Sequence, residues 1–159
     1  MKIVLIPILV AGLLFASCLM YVISLRVRSV LAVTMPDHVR LGDDFVARLT
    51  LRNVERSEMT LDHFSLDSKY EANFADGITV VSSQPPYQQR KNVGKEEQFT
   101  FNAPIRPDDA FRAEFVVRPT RPGDFSGYLF ADVLLPGKSA VRHTRPVLIR
   151  VRVDGECRS

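Results

Sequence analysis

The chain has few of the cysteines that cross-link small secreted domains, and it has no tryptophan. Its 159 residues include two cysteines and no tryptophan. Cys18 lies in an apolar N-terminal segment and Cys157 lies two residues from the end, so we expect no disulfide between them. A hydrophobic core must therefore hold the fold, and the roughly 134 residues after the apolar segment are enough for one domain.

Motifs that carry chemistry are missing as well. The sequence contains no nucleophile elbow, Walker loop, HExxH helix or CxxC pair, the short patterns that indicate catalysis, nucleotide binding or zinc. We therefore expect no enzyme activity and no cofactor. The net charge is only +3, and acidic residues are interspersed among the arginines and lysines. We accordingly expect no nucleic-acid partner.

One long uncharged run stands at the start of the chain. Residues 3–25 contain no Asp, Glu, Lys or Arg, and as a helix they would span about 34 Å, enough to cross a hydrocarbon core of about 30 Å. We predict a transmembrane anchor over 1–25 and a single domain over 26–159. Gly12 and Ala16 form a small-xxx-small pair, which lets membrane helices pack closely. The expected partners are the lipid bilayer and other membrane protein subunits.

Cys18 bears on whether this anchor is retained. Residues 15–18, FASC, resemble the lipobox of bacterial lipoproteins, although leucine is usual where Phe15 stands. A lipoprotein cysteine is normally followed by a polar tether, whereas residues 19–23 are LMYVI. Cleavage would leave each large apolar side chain in water at about 1.5–3 kcal/mol, so we predict an uncleaved anchor. Lipidation of Cys18 and ordinary signal cleavage are the alternatives.

The charges that flank the apolar run favour two opposite orientations. Lys2 precedes the run, and Arg26 and Arg28 follow it. Taken literally, the positive-inside rule places the domain in the cytoplasm. A start of MK followed at once by an apolar run is, however, typical of an export signal. We expect a single-pass protein of the inner membrane with its domain on the periplasmic or extracellular side.

Apolar residues alternate with a period of two through the rest of the chain. Three segments, DFVARLTLRN, AFRAEFVVRP and RPVLIRVRVDG, each place four apolar residues on one face. The predicted inward residues are Phe45, Ala47, Leu49 and Leu51, then Phe111, Ala113, Phe115 and Val117, then Val147, Ile149, Val151 and Val153. Strands with one wet face are typical of antiparallel sheets.

Weaker strand signals fill the gaps between these three segments. They cover residues 29–34, 59–66, 77–82, 97–102 and 125–135, separated by turn-forming stretches such as PDHVRLGDD and SSQPPYQQRKNVGKE. Short strands with proline and glycine between them at this spacing predict an all-β fold. We expect an antiparallel immunoglobulin-like sandwich of roughly seven to eight strands, preceded by one transmembrane helix.

The segment MPDHVRLGDDFVARLTLRN resembles the opening of immunoglobulin-like modules in bacterial surface and periplasmic proteins, such as adhesion-related and fibronectin-III-like modules. Those modules begin with a proline and a turn glycine, then an alternating strand that ends in asparagine. The matching residues are Pro36, Gly42, Phe45, Leu49, Leu51 and Asn53. The segment RPTRPGDFSGYLFADV is similar to their late hairpin. The resemblance implies a module that binds, spaces or supports rather than catalyses.

Arginines on outward strand positions form the expected interaction surface. They are Arg48, Arg52, Arg112, Arg118, Arg150 and Arg152. If the strands that carry Arg112 and Arg150 share a sheet, one face would be basic and suited to lipid headgroups or to a partner's carboxylates. Balanced by Glu114, Asp132 and other acids, the same arginines are an ordinary solvated surface, and we favour this second interpretation.

A metal site is the hypothesis from another class. Met35 and Met59 lie near His38 and His63, and thioether plus imidazole is a ligand set that suits copper. Met59 and His63, four apart on a strand, would share a face. One anchor with an external immunoglobulin-like domain also resembles the copper-delivering assembly factors of cytochrome oxidase, whose paired cysteines are missing here.

The pair Asp62–His63 is the one place where an acid and an imidazole are adjacent in sequence. Neighbours on a strand face opposite sides, so the two cannot form an orienting pair unless a bulge intervenes. We expect His63 to be a half-exposed strand residue without a catalytic role.

These observations predict a membrane-anchored, extracytoplasmic β-sandwich that acts as a non-catalytic accessory, assembly or adhesion subunit, docked on a larger membrane protein complex. The alternative is a periplasmic protein that binds or delivers copper.

Overall fold

The computed structural model describes residues 29–67, 77–137 and 139–153, which form ten β-strands. In chain order they are β1 (Ser29–Thr34), β2 (His38–Arg40), β3 (Phe45–Asn53), β4 (Met59–Asp67), β5 (Ile78–Gln84), β6 (Gln89–Val93), β7 (Glu96–Ile105), β8 (Ala110–Pro119), β9 (Gly123–Leu134) and β10 (Val141–Arg152).

The strands form two sheets that pack face to face. One has the order β1-β3-β8-β5 and the other has the order β2-β10-β9-β4-β7-β6. All neighbours are antiparallel except the short β2, which runs parallel to β10. The described residues therefore confirm the prediction of an all-β sandwich, with ten strands rather than seven or eight.

Strands β3, β8 and β10 follow the alternation that their sequences predict. In β3 the side chains of Phe45, Ala47, Leu49 and Leu51 are buried while Arg48 and Arg52 are exposed. In β10, Val147, Ile149 and Val151 are buried. Val153 is exposed because it lies beyond the end of β10, so the prediction of a fourth inward residue there is wrong.

Phenylalanine dominates the core between the sheets. The Phe64 ring meets Phe101 edge to face with centroids 5.7 Å apart, and Phe99 meets Phe115 in the same way at 5.5 Å. Edge-to-face pairs add roughly 0.5–1.5 kcal/mol beyond the burial of their area. The first contact joins β4 to β7 within the six-stranded sheet, and the second joins β7 to β8 of the four-stranded sheet.

Two strands lie in segments that the sequence predicts as turns. β6 is fully exposed along its length, and β2 has three residues on the edge of its sheet. Neither shows apolar alternation, because an edge strand with little buried surface needs none. Their position is set by backbone pairing with β7 and β10, which leaves no hydrophobic signal in the sequence.

A β-bulge interrupts β4 between Leu61 and His63, and both neighbouring strands shift register there. A bulge inserts one residue and so moves every later side chain to the other face. Met59 and Leu61 point into the core before it, and Phe64 and Leu66 point into the core after it. The prediction that Met59 and His63 share a face is therefore wrong.

Asn53, the asparagine that ends β3, is fully buried. Its Nδ2 donates to the carbonyl oxygens of Ser57 and Ile105, each at 2.9 Å, and its Oδ1 accepts from the Glu55 amide at 2.9 Å. The side chain thus satisfies three backbone groups that the turn would otherwise leave unpaired. It ties the loop after β3 to the end of β7.

The predicted anchor over 1–25, with Gly12, Ala16 and Cys18, lies outside the described residues, as does Cys157. Within 29–67, 77–137 and 139–153, no helix is both long and apolar enough to cross a membrane.

Candidate functional site

A group of charged side chains lies on the outer face of the six-stranded sheet, and we call it the charged cluster. It consists of Asp62, His63, Glu96, Asp132 and Arg142. The register places Thr100, His63, Asp132 and Arg142 opposite one another across β7, β4, β9 and β10. The bulge in β4 turns His63 away from the core and into this row.

Arg142 is the centre of the charged cluster. Its Nε and Nη2 donate to the two carboxylate oxygens of Asp132 at 2.9 and 2.7 Å, and its Nη1 donates to Glu96 Oε1 at 2.6 Å. The guanidinium carbon lies 4.7 Å from the centre of the Phe130 ring. One side chain from β10 therefore contacts carboxylates from both β9 and β7, which fits the bidentate and stacking chemistry of arginine.

His63 lies between two carboxylates. Its Nδ1 is 2.9 Å from Asp62 Oδ2, and its Nε2 is 2.8 Å from Asp132 Oδ2. The contact at Nε2 is close, but its geometry is not that of a hydrogen bond. The sequence predicts that Asp62 and His63 cannot pair unless a bulge intervenes. The bulge in β4 does intervene, and the two side chains are in contact. His63 is also more buried than expected, with 12% of its side chain exposed.

The surroundings favour the charged forms of Asp132, His63 and Glu96. Burial opposes charge on Asp132, but the close contact with His63 and the hydrogen bonds from Arg142 outweigh it and lower the pKa of Asp132 to about 2. Contact with Asp132 is the largest effect on His63 and raises the pKa of its imidazole. Burial similarly opposes charge on Glu96, whose pKa is lowered by hydrogen bonds from Arg142 and Ser65. Each charge thus stabilises its neighbours.

This arrangement is suited to stabilising the sheet rather than to chemistry. A general base or a metal ligand needs a free imidazole nitrogen, and both nitrogens of His63 contact carboxylates. Ser65, two residues further along β4, is fully buried and donates to Glu96 at 3.1 Å, so its hydroxyl is not accessible as a nucleophile. Within the described ranges, no three His, Cys, Asp or Glu side chains are grouped to hold a metal ion.

The four candidate copper ligands lie in four different surroundings. Met59 is 0% exposed in the core, and Met35 lines a small apolar cavity between the sheets. His38 lies on the edge strand β2, where its Nε2 is 3.3 Å from Arg150 Nη1. His63 belongs to the charged cluster on the opposite face from Met59.

The six predicted arginines divide between the two sheets. Arg48, Arg52, Arg112 and Arg118 lie on β3 and β8, whereas Arg150 and Arg152 lie on β10. The strands that carry Arg112 and Arg150 are in different sheets, so the six do not form one basic face. Several are paired with acids: Arg48 with Glu114 at 2.7 Å, Arg118 with Asp44 at 2.7 Å, and Arg152 with Asp124 at 2.7 Å.

Beside the charged cluster lies an apolar patch that we call the aromatic strip, formed by Tyr128, Phe130, Pro146 and Leu148. Tyr128 and Phe130 stack with ring centres 6.3 Å apart, and Pro146 lies directly opposite Tyr128. Tyr128 and Leu148 are each 43% exposed. Neither this strip nor the role of Asp132, Arg142 and Glu96 is predicted from the sequence. Asp132 within the apolar strand GYLFADVL is a signal that the sequence offers for this role, since a carboxylate in such a strand requires partners.

No protein-family model and no curated protein matches the chain in sequence. Solved structures do match. The native conformation of alpha-2-macroglobulin from E. coli matches with a TM-score of 0.50 and 17% identity, over 79% of this chain and 7% of that chain. Its crystal structure from domain MG7 to the C-terminus matches with a TM-score of 0.52 and 17% identity, over 80% of this chain and 17% of that one.

A cohesin module from a Clostridium perfringens family 33 glycoside hydrolase matches at a TM-score of 0.49 and 11% identity, over 81% of this chain and 100% of that chain. The chain thus spans a small part of the macroglobulin chains that it matches. At these identities the likeness concerns fold alone. The described residues form an immunoglobulin-like β-sandwich.

Proposed function

We propose that this chain is a single-pass membrane protein whose immunoglobulin-like domain lies outside the cytoplasm. In this proposal the domain is a non-catalytic accessory, assembly or adhesion subunit that docks on a larger membrane protein complex. The uncharged run over 3–25 supports the anchor. The sandwich fold is one that commonly presents a binding surface.

The aromatic strip is the observation that carries the docking role. Tyr128 and Leu148 expose large apolar surface side by side on a sheet face whose other side chains are largely polar or charged. Contiguous exposed apolar residues with a polar rim are typical of protein-binding surfaces, where aromatic residues supply most of the binding energy. The charged cluster holds the strands beneath the strip in register, because Arg142 packs on Phe130 while it pairs with Asp132 and Glu96.

Purification in a mild detergent tests this proposal. We expect the chain to co-migrate with a membrane protein, and the Tyr128→Ser/Leu148→Ser variant to lose that partner while keeping its folded spectrum. Val81→Ser, on the exposed edge of the other sheet, is the matched control and should keep the partner. The proposal fails if the native chain runs alone as a monomer, or if the double variant retains the partner.

A further inference from the structure

We propose that Arg52 and Arg112 dock the domain on the anionic phospholipid headgroups of the membrane that holds its anchor. This inference rests on the anchor of the proposed function and adds a second contact between the chain and the membrane. The surface consists of these two arginines together with Val30 and Val54, and we call it the proximal patch.

Three of the six outward arginines, Arg52, Arg112 and Arg150, pair with no carboxylate of the described residues, and Arg150 lies on the other sheet, where it contacts His38. Arg48, Arg118 and Arg152 each pair with a carboxylate. Neither Arg52 nor Arg112 makes a salt bridge or side-chain hydrogen bond with any residue in 29–67, 77–137 or 139–153, although both are exposed. Two exposed guanidinium groups without a carboxylate leave their hydrogen-bond donors available to an external anion.

The strand register brings the two arginines together. Arg52 lies between Val30 of β1 and Ala110 of β8, and Thr50 lies opposite Arg112 one row further along the same face. Diagonal neighbours of this kind have Cα atoms roughly 7–8 Å apart. Two guanidinium groups at that spacing can contact one phosphate or two adjacent headgroups, because each presents a planar fork of donors.

The length of chain before β1 places this patch near the bilayer. β1 begins at Ser29, and the predicted anchor ends at residue 25. Four residue steps span at most about 14 Å, so the start of β1 lies within that distance of the hydrocarbon boundary. The headgroup layer fills roughly 5–8 Å of this distance of about 14 Å. Arg52 pairs with Val30, the residue that follows Ser29 in β1. Its long side chain can therefore cover the distance that remains between the start of β1 and the headgroups.

The apolar members of the patch complement the charges. Val30 and Val54 are 52% and 37% exposed. Val30 lies opposite Arg52 on β1, and Val54 lies two residues after Arg52 in the chain. Acidic residues at this end of the domain lie in the two adjacent loops over 54–58 and 106–109, where Arg56 and Arg106 accompany them. On the same sheet face, Arg48 pairs with Glu114 and Arg118 pairs with Asp44. Among the described residues of this face, Arg52 and Arg112 are the arginines without a carboxylate partner. Each arginine near an anionic leaflet strengthens binding about fivefold.

Full-length protein in lipid nanodiscs provides the test. A fluorophore is attached at Val54→Cys in a Cys18→Ser/Cys157→Ser background, and quenching is measured with a headgroup spin-labelled lipid. We expect several-fold stronger quenching with phosphatidylglycerol present than in pure phosphatidylcholine. Arg52→Gln/Arg112→Gln should reduce quenching to the phosphatidylcholine level. Arg48→Gln/Arg118→Gln, which removes two paired arginines, should keep it.

Further arms separate the possible outcomes. Arg52→Lys/Arg112→Lys retains the charge and should keep most of the quenching, which distinguishes a lost contact from a folding defect. Equal quenching in both lipids, an equal loss in the two glutamine variants, or displacement by inorganic phosphate at matched ionic strength would overturn the proposal. A chain that does not insert into nanodiscs refutes the anchor instead, whereas an inserted chain without lipid dependence refutes only the proximal patch.

Discussion

Asp132 keeps a negative charge in the middle of an apolar strand because its neighbours across the sheet are the Arg142 guanidinium and the His63 imidazole, whose pKa is raised. Its side chain is 9% exposed, and it contacts His63 on β4 and Arg142 on β10. A charge this buried is tolerated only with close partners, and removing a partner leaves an uncompensated charge. The stability of the outer sheet face therefore depends on individual side chains.

Replacing Asp132 with Asn should destabilise the domain by about 2–3 kcal/mol, below the full effect of a deeply buried pair because Arg142 is 40% exposed. Chemical denaturation of the full chain in detergent measures this loss. A double-mutant cycle with Arg142→Met should show that the two changes are not additive. Asp124→Asn, which breaks the exposed pair with Arg152, is the control and should change little. Equal losses in both variants would contradict this account.

Two partly buried histidines, His63 and His143, should give the free energy of unfolding opposite pH dependences on either side of pH 6.5. The pKa of His63 is raised above 6.5 by Asp132 and Asp62, so above that pH the folded state binds more protons and stability falls as pH rises. The pKa of His143 is lowered by burial, against the attraction of Asp132. Below pH 6.5 the unfolded state therefore binds more protons, and stability falls as pH drops.

Equilibrium unfolding at a series of pH values checks this prediction. His63→Gln should flatten the curve above about pH 6.5, and His143→Gln should flatten it below that value. Each variant is the control for the other, since they act in different pH windows. If His63→Gln alters only the acidic limb, the imidazole is not held in its charged form by the two aspartates.

At the scale of the element, β5 packs on β9 through a position that has no room for a side chain. A Cβ added at Gly77, just before β5, would overlap the ring of Phe125. Gly77→Ala should therefore destabilise the domain by about 1–3 kcal/mol, the usual effect of overpacking. Thermal unfolding measures the change, and Phe125→Leu in the Gly77→Ala background should restore part of the loss. A neutral Gly77→Ala variant would show that the two strands are further apart than described.

The sequence predicts a strand well where one face of the strand is buried and the other is exposed to solvent. β3 and β8 are predictable because Phe45 to Leu51 and Ala113 to Val117 alternate between core and solvent. β2 and β6 are not, because edge pairing leaves no hydrophobic pattern. The bulge in β4 escapes prediction for a different reason: it depends on pairing with β7 and β9, and those pairings are not encoded locally.

The charged cluster could be predicted only in part. Asp132 stands out within its strand, and the pair Asp62–His63 is visible in the sequence. Arg142 and Glu96 are 46 residues apart and meet across two intervening strands, so no local spacing relates them. Sequence patterns report which face a residue occupies, whereas partners across a sheet follow from strand order.

For the whole molecule, we propose an anchor that lies within the membrane and a domain that lies outside the cytoplasm. The aromatic strip and the proximal patch lie on different sheets, so one surface can meet a protein partner while the other faces lipid. Both proposals therefore depend on which side of the membrane the domain occupies. An uncleaved anchor also requires that the mature chain retain Met1 and carry no lipid on Cys18.

The most direct test of this account is thiol labelling of intact cells that express the chain, with their outer barrier permeabilised. A membrane-impermeant maleimide should label Cys157 before lysis, because we propose that the domain lies outside the cytoplasm. A chain carrying Cys157→Ser should give no label under the same conditions. Labelling of Cys157 only after the inner membrane is broken would place the domain in the cytoplasm and contradict the proposal.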